Sequence, residues 1–203
     1  MQLDRLQRIN VVGTSSSGKS TLARRISEIL DVPHVELDRL FWQPDWQPAT
    51  EDGFQAALQQ AISGDRWVID GNYNTTQPIE HERLTAVIWL DYPLSVTLKR
   101  ATSRAIRRSW TQEEIWPGTG NRESFRRNFT SRDSVLLWSL TSYHRNRKKY
   151  QAMMAAAKHT TIQWIRLSHP RQAERLLQSL QSSIPGVPAT DDSSPSHRSS
   201  RLD

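Results

Sequence analysis

The chain contains no cysteine. Disulfides and thiolate-held metals are therefore excluded. It has no apolar run near the ~20 residues that a membrane-spanning helix needs. Its first residues, MQLDRLQRIN, are polar, and their apolar run is too short for a secretory signal. These absences predict a cytoplasmic protein with no membrane partner. There is no internal repeat, and no helix-turn-helix, zinc or RNA-binding signature. Acidic residues are scarce in one stretch. Between Lys99 and Lys149 there are 13 Lys/Arg against 4 Asp/Glu, a balance of +9 in a chain whose total is +6. Such a block attracts nucleotide phosphates or a nucleic-acid backbone; solvated helix faces are the alternative. The 203 residues suggest one domain, long enough to bury a sizeable core.

What is present begins with Gly13-Thr14-Ser15-Ser16-Ser17-Gly18-Lys19-Ser20, which fits G-x-x-x-x-G-K-[ST]. Ile9-Asn10-Val11-Val12 before it reads as a buried strand. Leu22, Ile26, Ile29 and Leu30 after it make one helical face. In this arrangement backbone N–H groups converge on anionic oxygens, and the helix adds its positive end. Gly13, Ser15, Ser16, Ser17, Gly18, Lys19, Ser20 and Thr21 are thus the candidate phosphate contacts. Lys19 would reach the β- and γ-phosphates, and the Ser20 hydroxyl would ligate Mg²⁺. A flexible Ser/Gly turn is the alternative.

Further strands are expected at 34–37, 66–69, 86–90 and 161–165, with helices at 50–62, from Leu94 past Ala105, from Arg122 to about Met154, and at 172–180. The second long helix is expected to break near 130–133. Residues 73–84 read as irregular or weakly helical, and 109–121 as a loop or hinge. From about residue 181 the Ser/Pro/Asp-rich chain reads as a disordered tail. Alternating strands and helices imply a parallel sheet covered on both faces. Ligands of such sheets bind beyond the strand carboxyl ends. That singles out Asp38, Asp70, Asp91 and 168–171 beside the glycine-rich loop.

The runs GTSSSGKST, HVELDRLFW, WVIDGNY and VIWLDYP together resemble the P-loop small-molecule and nucleoside monophosphate kinases: adenylate, shikimate and gluconate kinases. More closely they resemble the adenylate-kinase-related group labelled topology modulation proteins. The resemblance covers most of residues 8–95; beyond 95 it is one of pattern only. It implies a three-layer α/β/α P-loop NTPase fold with a five-stranded parallel sheet. It also implies a kinase domain over 1–180 with a lid insertion at about 108–127, and ATP and Mg²⁺ as cofactors. Asp70 would be the acid that holds Mg²⁺ through water; Mg²⁺ prefers carboxylate and water oxygens, and a ligand-free Asp-Gly turn is the alternative. Asp38 would orient an acceptor hydroxyl or take its proton. Glu36 would share its side of the strand and assist with metal. For both, helix capping or solvation is the alternative. Arg104 would flank the adenine, and Arg122 and Arg126 would close over the γ-phosphate.

The chain departs from the resemblance at Asp70-Gly71-Asn72-Tyr73-Asn74, where adenylate kinases continue with an arginine for the acceptor's phosphate. Trp42, Trp46 and Tyr73 would wall a ring-bearing acceptor, or would be core residues. The reading is a Mg²⁺- and ATP-dependent kinase of a small acceptor, such as a nucleoside monophosphate. A nucleic-acid-associated nucleotide-binding protein and a simple NTPase are the other readings.

Overall fold

The computed structural model describes residues 3–111, 114–116, 118–121 and 135–183. Five strands form one parallel sheet: β1 (Arg8–Gly13), β2 (His34–Glu36), β3 (Trp67–Asp70), β4 (Ala86–Leu90) and β5 (Gln163–Leu167), in the order β2-β3-β1-β4-β5. Seven α-helices accompany them among the described residues: α1 (Lys19–Leu30), α2 (Leu37–Phe41), α3 (Glu51–Ala61), α4 (Gln77–His81), α5 (Leu94–Thr111), α6 (Val135–Ala156) and α7 (Pro170–Ser183).

Alternation along the strands builds two cores, because successive side chains point to opposite faces. Ile9, Val11, Val68, Ala86, Ile88 and Leu90 face α1 and α7, where they meet Leu22, Ile26, Leu176 and Leu177. Val12, Trp67, Ile69, Val87 and Trp89 face the other way, onto Phe54 and Leu58 of α3 and Tyr150 of α6. The central strands are covered on both sides, which explains their continuous apolar runs. The result is the expected three-layer α/β/α fold. The Thr50 hydroxyl accepts from Gly53 N at 3.2 Å and caps α3, as its position predicts.

Several boundaries differ from the sequence reading. The second strand stops at Glu36; Leu37 and Asp38 open the short helix α2, so Asp38 does not share a strand face with Glu36. Strand β3 extends to Asp70 because it pairs through to Val11 and Glu36. Strand β5 lies two residues further along than expected, set by pairing of Ala86 with Gln163 and Leu90 with Leu167. Helix α5 continues to Thr111, into the expected hinge. Helix α7 starts at Pro170, whose fixed φ suits a first turn, and ends at Ser183. Leu6, read as part of a polar lead-in, is 2 % exposed and belongs to the core. The expected break near 130–133 and the tail from 184 onward lie outside the described residues. So do nine of the twenty positions of the expected lid, Arg122 and Arg126 among them.

Candidate functional site

At the carboxyl edge of the sheet the loop between β1 and α1 opens into a cleft of about 1490 Å³. Ser15, Ser16, Ser17, Gly18, Lys19, Ser20 and Thr21 line it, with Asp70 from the end of β3 and Glu36 and Asp38 from the β2–α2 junction. Gly18 has φ +98°, left-handed space that suits glycine, and a Cβ there would stand 3.0 Å from Arg100 Nη1. The Ser16 and Ser17 hydroxyls are buried in the loop with no hydrogen-bond partner. Buried polar groups are normally satisfied, so these two donors fit a loop shaped to receive phosphate oxygens.

Lys19 donates to Thr14 O at 3.3 Å. Burial lowers the Lys19 pKa, an effect partly offset by the nearby carboxylates of Asp38 and Asp70 and reinforced by the Arg104 guanidinium. By accessible surface Lys19 is only half-buried, because its side chain borders the cleft. Lys19 thus feels the charges of both acids that the sequence placed after separate strands. Asp38 accepts a hydrogen bond from the Tyr73 hydroxyl at 2.8 Å. Burial, followed by the Asp38 charge, raises the Tyr73 pKa and keeps that hydroxyl a donor. Asp70 is 4 % exposed, and its Oδ1 lies 3.4 Å from His34 Nε2. No group of three or more His, Asp or Glu able to hold a metal by itself occurs among the described residues. That donor set fits Mg²⁺, which keeps waters and takes one or two protein ligands plus phosphate oxygens; Ser20 and Asp70 both border the cleft.

The opposite wall is cationic. Lys99, Arg100, Arg104 and Arg107 of α5 all line the cleft, as do Tyr92, Pro170, Ala173 and Leu177. Arg100 donates to Ser17 O at 2.5 Å and its guanidinium lies 5.3 Å from the Tyr92 ring centroid. The segment at 168–171 is occupied by capping: Gln172 Oε1 accepts from Ser168 N at 2.6 Å and from His169 N at 3.0 Å. Asp91 does not face the cleft. It is buried between Arg166, with which it forms a close ion pair, and Arg147, at 3.1 Å.

No protein-family model matches this chain, and no curated protein sequence does. Among solved structures it is similar to a gluconokinase from Sinorhizobium meliloti 1021. The identity is 18 %, with 87 % of this chain and 92 % of that one covered and a TM-score of 0.47. It is also similar to a sugar kinase from Janibacter sp. HTCC2649, at 16 % identity, 89 % and 97 % coverage, and a TM-score of 0.46.

Three residues at the site escaped the sequence reading. Asn72 donates to Gly13 O at 2.6 Å and accepts from the Tyr150 hydroxyl at 2.7 Å, tying α6 to the root of the loop. Its place two residues after Asp70, where the resembled kinases differ, was the available signal. Arg100 donates to the loop at Ser17 O; four residues from Arg104 on one helix, it was indistinguishable from it by spacing. Trp116 reaches the cleft from the expected hinge, and its Nε1 donates to Glu36 Oε2 at 3.2 Å. Only tertiary folding brings those two together. Conversely, Tyr73 packs between Phe41 and Phe54, at centroid distances of 4.8 and 5.0 Å, so it backs the wall of the cleft and its hydroxyl serves Asp38.

Proposed function

We propose that the protein is a kinase that transfers the γ-phosphoryl group of Mg·ATP to a hydroxyl of a small molecule. The observation that carries this reading is the convergence on one cleft of a glycine-rich loop with buried unpartnered hydroxyls, Lys19, and the separate carboxylates Asp38 and Asp70. Phosphoryl transfer needs positioning and charge neutralisation more than covalent chemistry, and these groups supply both.

In this reading the loop N–H groups and the serine hydroxyls bind the ATP phosphates, and Lys19 stabilises charge on the γ-phosphoryl oxygens. Ser20 and Asp70 would hold Mg²⁺, which would supply further neutralisation of phosphate charge. Asp38 accepts the proton of the acceptor hydroxyl as the new O–P bond forms and the bond from phosphorus to the β,γ-bridging oxygen breaks, releasing ADP. Arg104, on the cationic wall, flanks the nucleotide, while Arg100 steadies the loop through Ser17. Arg122 and Arg126, outside the described residues, would by the resemblance close over the γ-phosphate and exclude water. The basic block has an account here as well. Four of its cations face the nucleotide cleft, which favours the kinase reading over nucleic-acid binding.

The test is ADP release from Mg·ATP, alone and with a panel of small acceptors, in the wild type and in Lys19→Ala. We expect strong stimulation by an acceptor, and its loss in the folded Lys19→Ala protein. Release that no acceptor changes would instead mark a simple NTPase.

A further inference from the structure

The two walls of the cleft differ in charge, and the difference bears on the acceptor. The α5 wall brings Lys99, Arg100, Arg104 and Arg107. The wall beyond Lys19 brings Glu36, Asp38, Trp42, Trp46 and Trp116. No lysine or arginine lines that second wall among the described residues. Arg39, beside Asp38 in sequence, is exposed and outside the cleft. Arg25 lines the cleft but is engaged with Glu174, at 2.7 Å, between α1 and α7. The two carboxylates are held by neutral donors, Glu36 by the Trp116 indole and Asp38 by the Tyr73 hydroxyl.

The indoles are placed deliberately. Trp42 and Trp46 lie 5.7 Å apart edge to face, and Trp46 and Trp116 lie 6.1 Å apart. Asp45 and Trp46 both take left-handed backbone conformations, φ 57° and 60°. Such conformations in non-glycine residues persist only where the surroundings enforce them, and they cluster at ligand sites. Here Asn121, fully buried, does the enforcing. Its Oδ1 accepts from Trp46 N at 2.8 Å and its Nδ2 donates to Gln43 O at 3.0 Å. Asn121 O accepts from Ile115 N at 2.9 Å, which docks the Trp116 segment onto the same loop.

From this wall we infer that the acceptor is a ring-bearing alcohol with no anionic group, and that an ammonium beside its hydroxyls improves it. The inference rests on the kinase reading and specifies its substrate class. Indole faces attract cations and stack on ring surfaces. Glu36, which takes its hydrogen bond from an indole and pairs with no lysine or arginine among the described residues, favours a positive ligand and repels a negative one, and that repulsion is itself a source of specificity. A phosphate- or carboxylate-bearing acceptor finds no cation on this wall among the described residues.

The experiment uses sets of one ring skeleton and different charge: glucosamine, glucose and glucuronate, and adenosine against AMP. Binding is measured by calorimetry on the full chain with Mg·AMP-PNP present, and transfer by ADP release from Mg·ATP. We expect glucosamine and glucose to exceed glucuronate, and adenosine to exceed AMP, by ~10-fold or more in whichever set binds, a difference of about 1.4 kcal/mol. Glu36→Gln should cut the glucosamine-to-glucose preference ~5-fold or more. Trp46→Ala should weaken both compounds alike. A merely structural role for Glu36 would lower both compounds equally and leave the ratio unchanged, which counts against the inference. Tighter binding of glucuronate or AMP than of their uncharged counterparts overturns it, as does failure of every compound to bind. Transfer to an anionic compound alone would overturn it while leaving the kinase reading intact. Binding of the amino sugar without transfer would retain the preference and remove the kinase reading.

Discussion

Asn72 offers the sharpest test of how the helical layer supports the glycine-rich loop. Its amide joins Gly13 O at 2.6 Å to the Tyr150 hydroxyl at 2.7 Å. Tyr150 is 2 % exposed, and burial raises its pKa, so the hydroxyl keeps its proton and must donate it somewhere. Asn72→Ala removes two hydrogen bonds, each worth about 1 kcal/mol net, and leaves a buried hydroxyl whose orphaning costs about 1–3 kcal/mol. The expected loss is therefore about 3 kcal/mol. At about 2–4 °C per kcal/mol for a chain of this size, Tm should fall by about 6–12 °C. Tyr150→Phe alone should cost about 1 kcal/mol. The double variant should be less damaged than the two singles added together, by about 2 kcal/mol, because the Tyr150–Asn72 bond is then lost once rather than twice and no hydroxyl is orphaned. Urea unfolding of the four proteins measures this coupling. Calorimetry should also show Mg·AMP-PNP binding weakened ~10-fold, about 1.4 kcal/mol, in Asn72→Ala, as the root of the loop loses its tether. Additivity within about 0.3 kcal/mol, or unchanged nucleotide affinity, would refute the tether.

Other expectations are independent of that one. Asp38→Asn should lower kcat ~10²–10⁴-fold, the range for losing a general base, while Mg·ATP affinity holds; a large loss of affinity would move Asp38 away from the acceptor. Gly71 has φ +146°, and a Cβ there would lie 2.6 Å from Leu37 Cβ. Gly71→Ala should therefore destabilise by about 1–3 kcal/mol by overpacking, read as a lower urea midpoint. Glu80 is 1 % exposed and accepts from Asn10 Nδ2 at 2.5 Å and from the Thr76 hydroxyl at 2.6 Å. Burial is the largest influence and raises its pKa above the ordinary 4.5, despite those donors and nearby Lys149. The folded state thus holds this proton longer than the unfolded state. The stability it brings is full below pH 4.5 and is lost as pH rises through the folded pKa. Glu80→Gln should flatten that decline, because the Asn10 amide can turn its unpartnered Oδ1 toward the new donor; urea midpoints at pH 5 and pH 8 decide. An unchanged pH slope would count against a raised Glu80.

Much of this molecule is local in origin. The strand–glycine loop–helix unit at 8–30 was legible because a buried strand, two glycines and an amphipathic helix leave their marks within a few residues of one another. The continuous apolar runs of β1 and β4 likewise announced a sheet covered on both faces, since only such strands need no polar alternation. The end of β2 and the shift of β5 were not legible. A parallel strand is bounded by the neighbour that supplies its hydrogen bonds, and Val35-Glu36-Leu37 or Thr161–Gln163 carry no local stop signal.

The same division runs through the candidate site. The sequence determined which side chains are at hand: a glycine-rich loop with Lys19 and Ser20, and acids after two different strands. Only tertiary structure decided which residues face one another. It drew Trp116 onto Glu36, across a separation of 80 residues, and Asn72 onto Gly13, across 59. It also set Arg100 against Ser17, turned Asp91 into a buried anchor for Arg147 and Arg166, and placed Tyr73 behind the wall of the cleft. Contacts of that kind depend on packing between distant elements, and hydrophobic periodicity carries no record of the partner a side chain will meet.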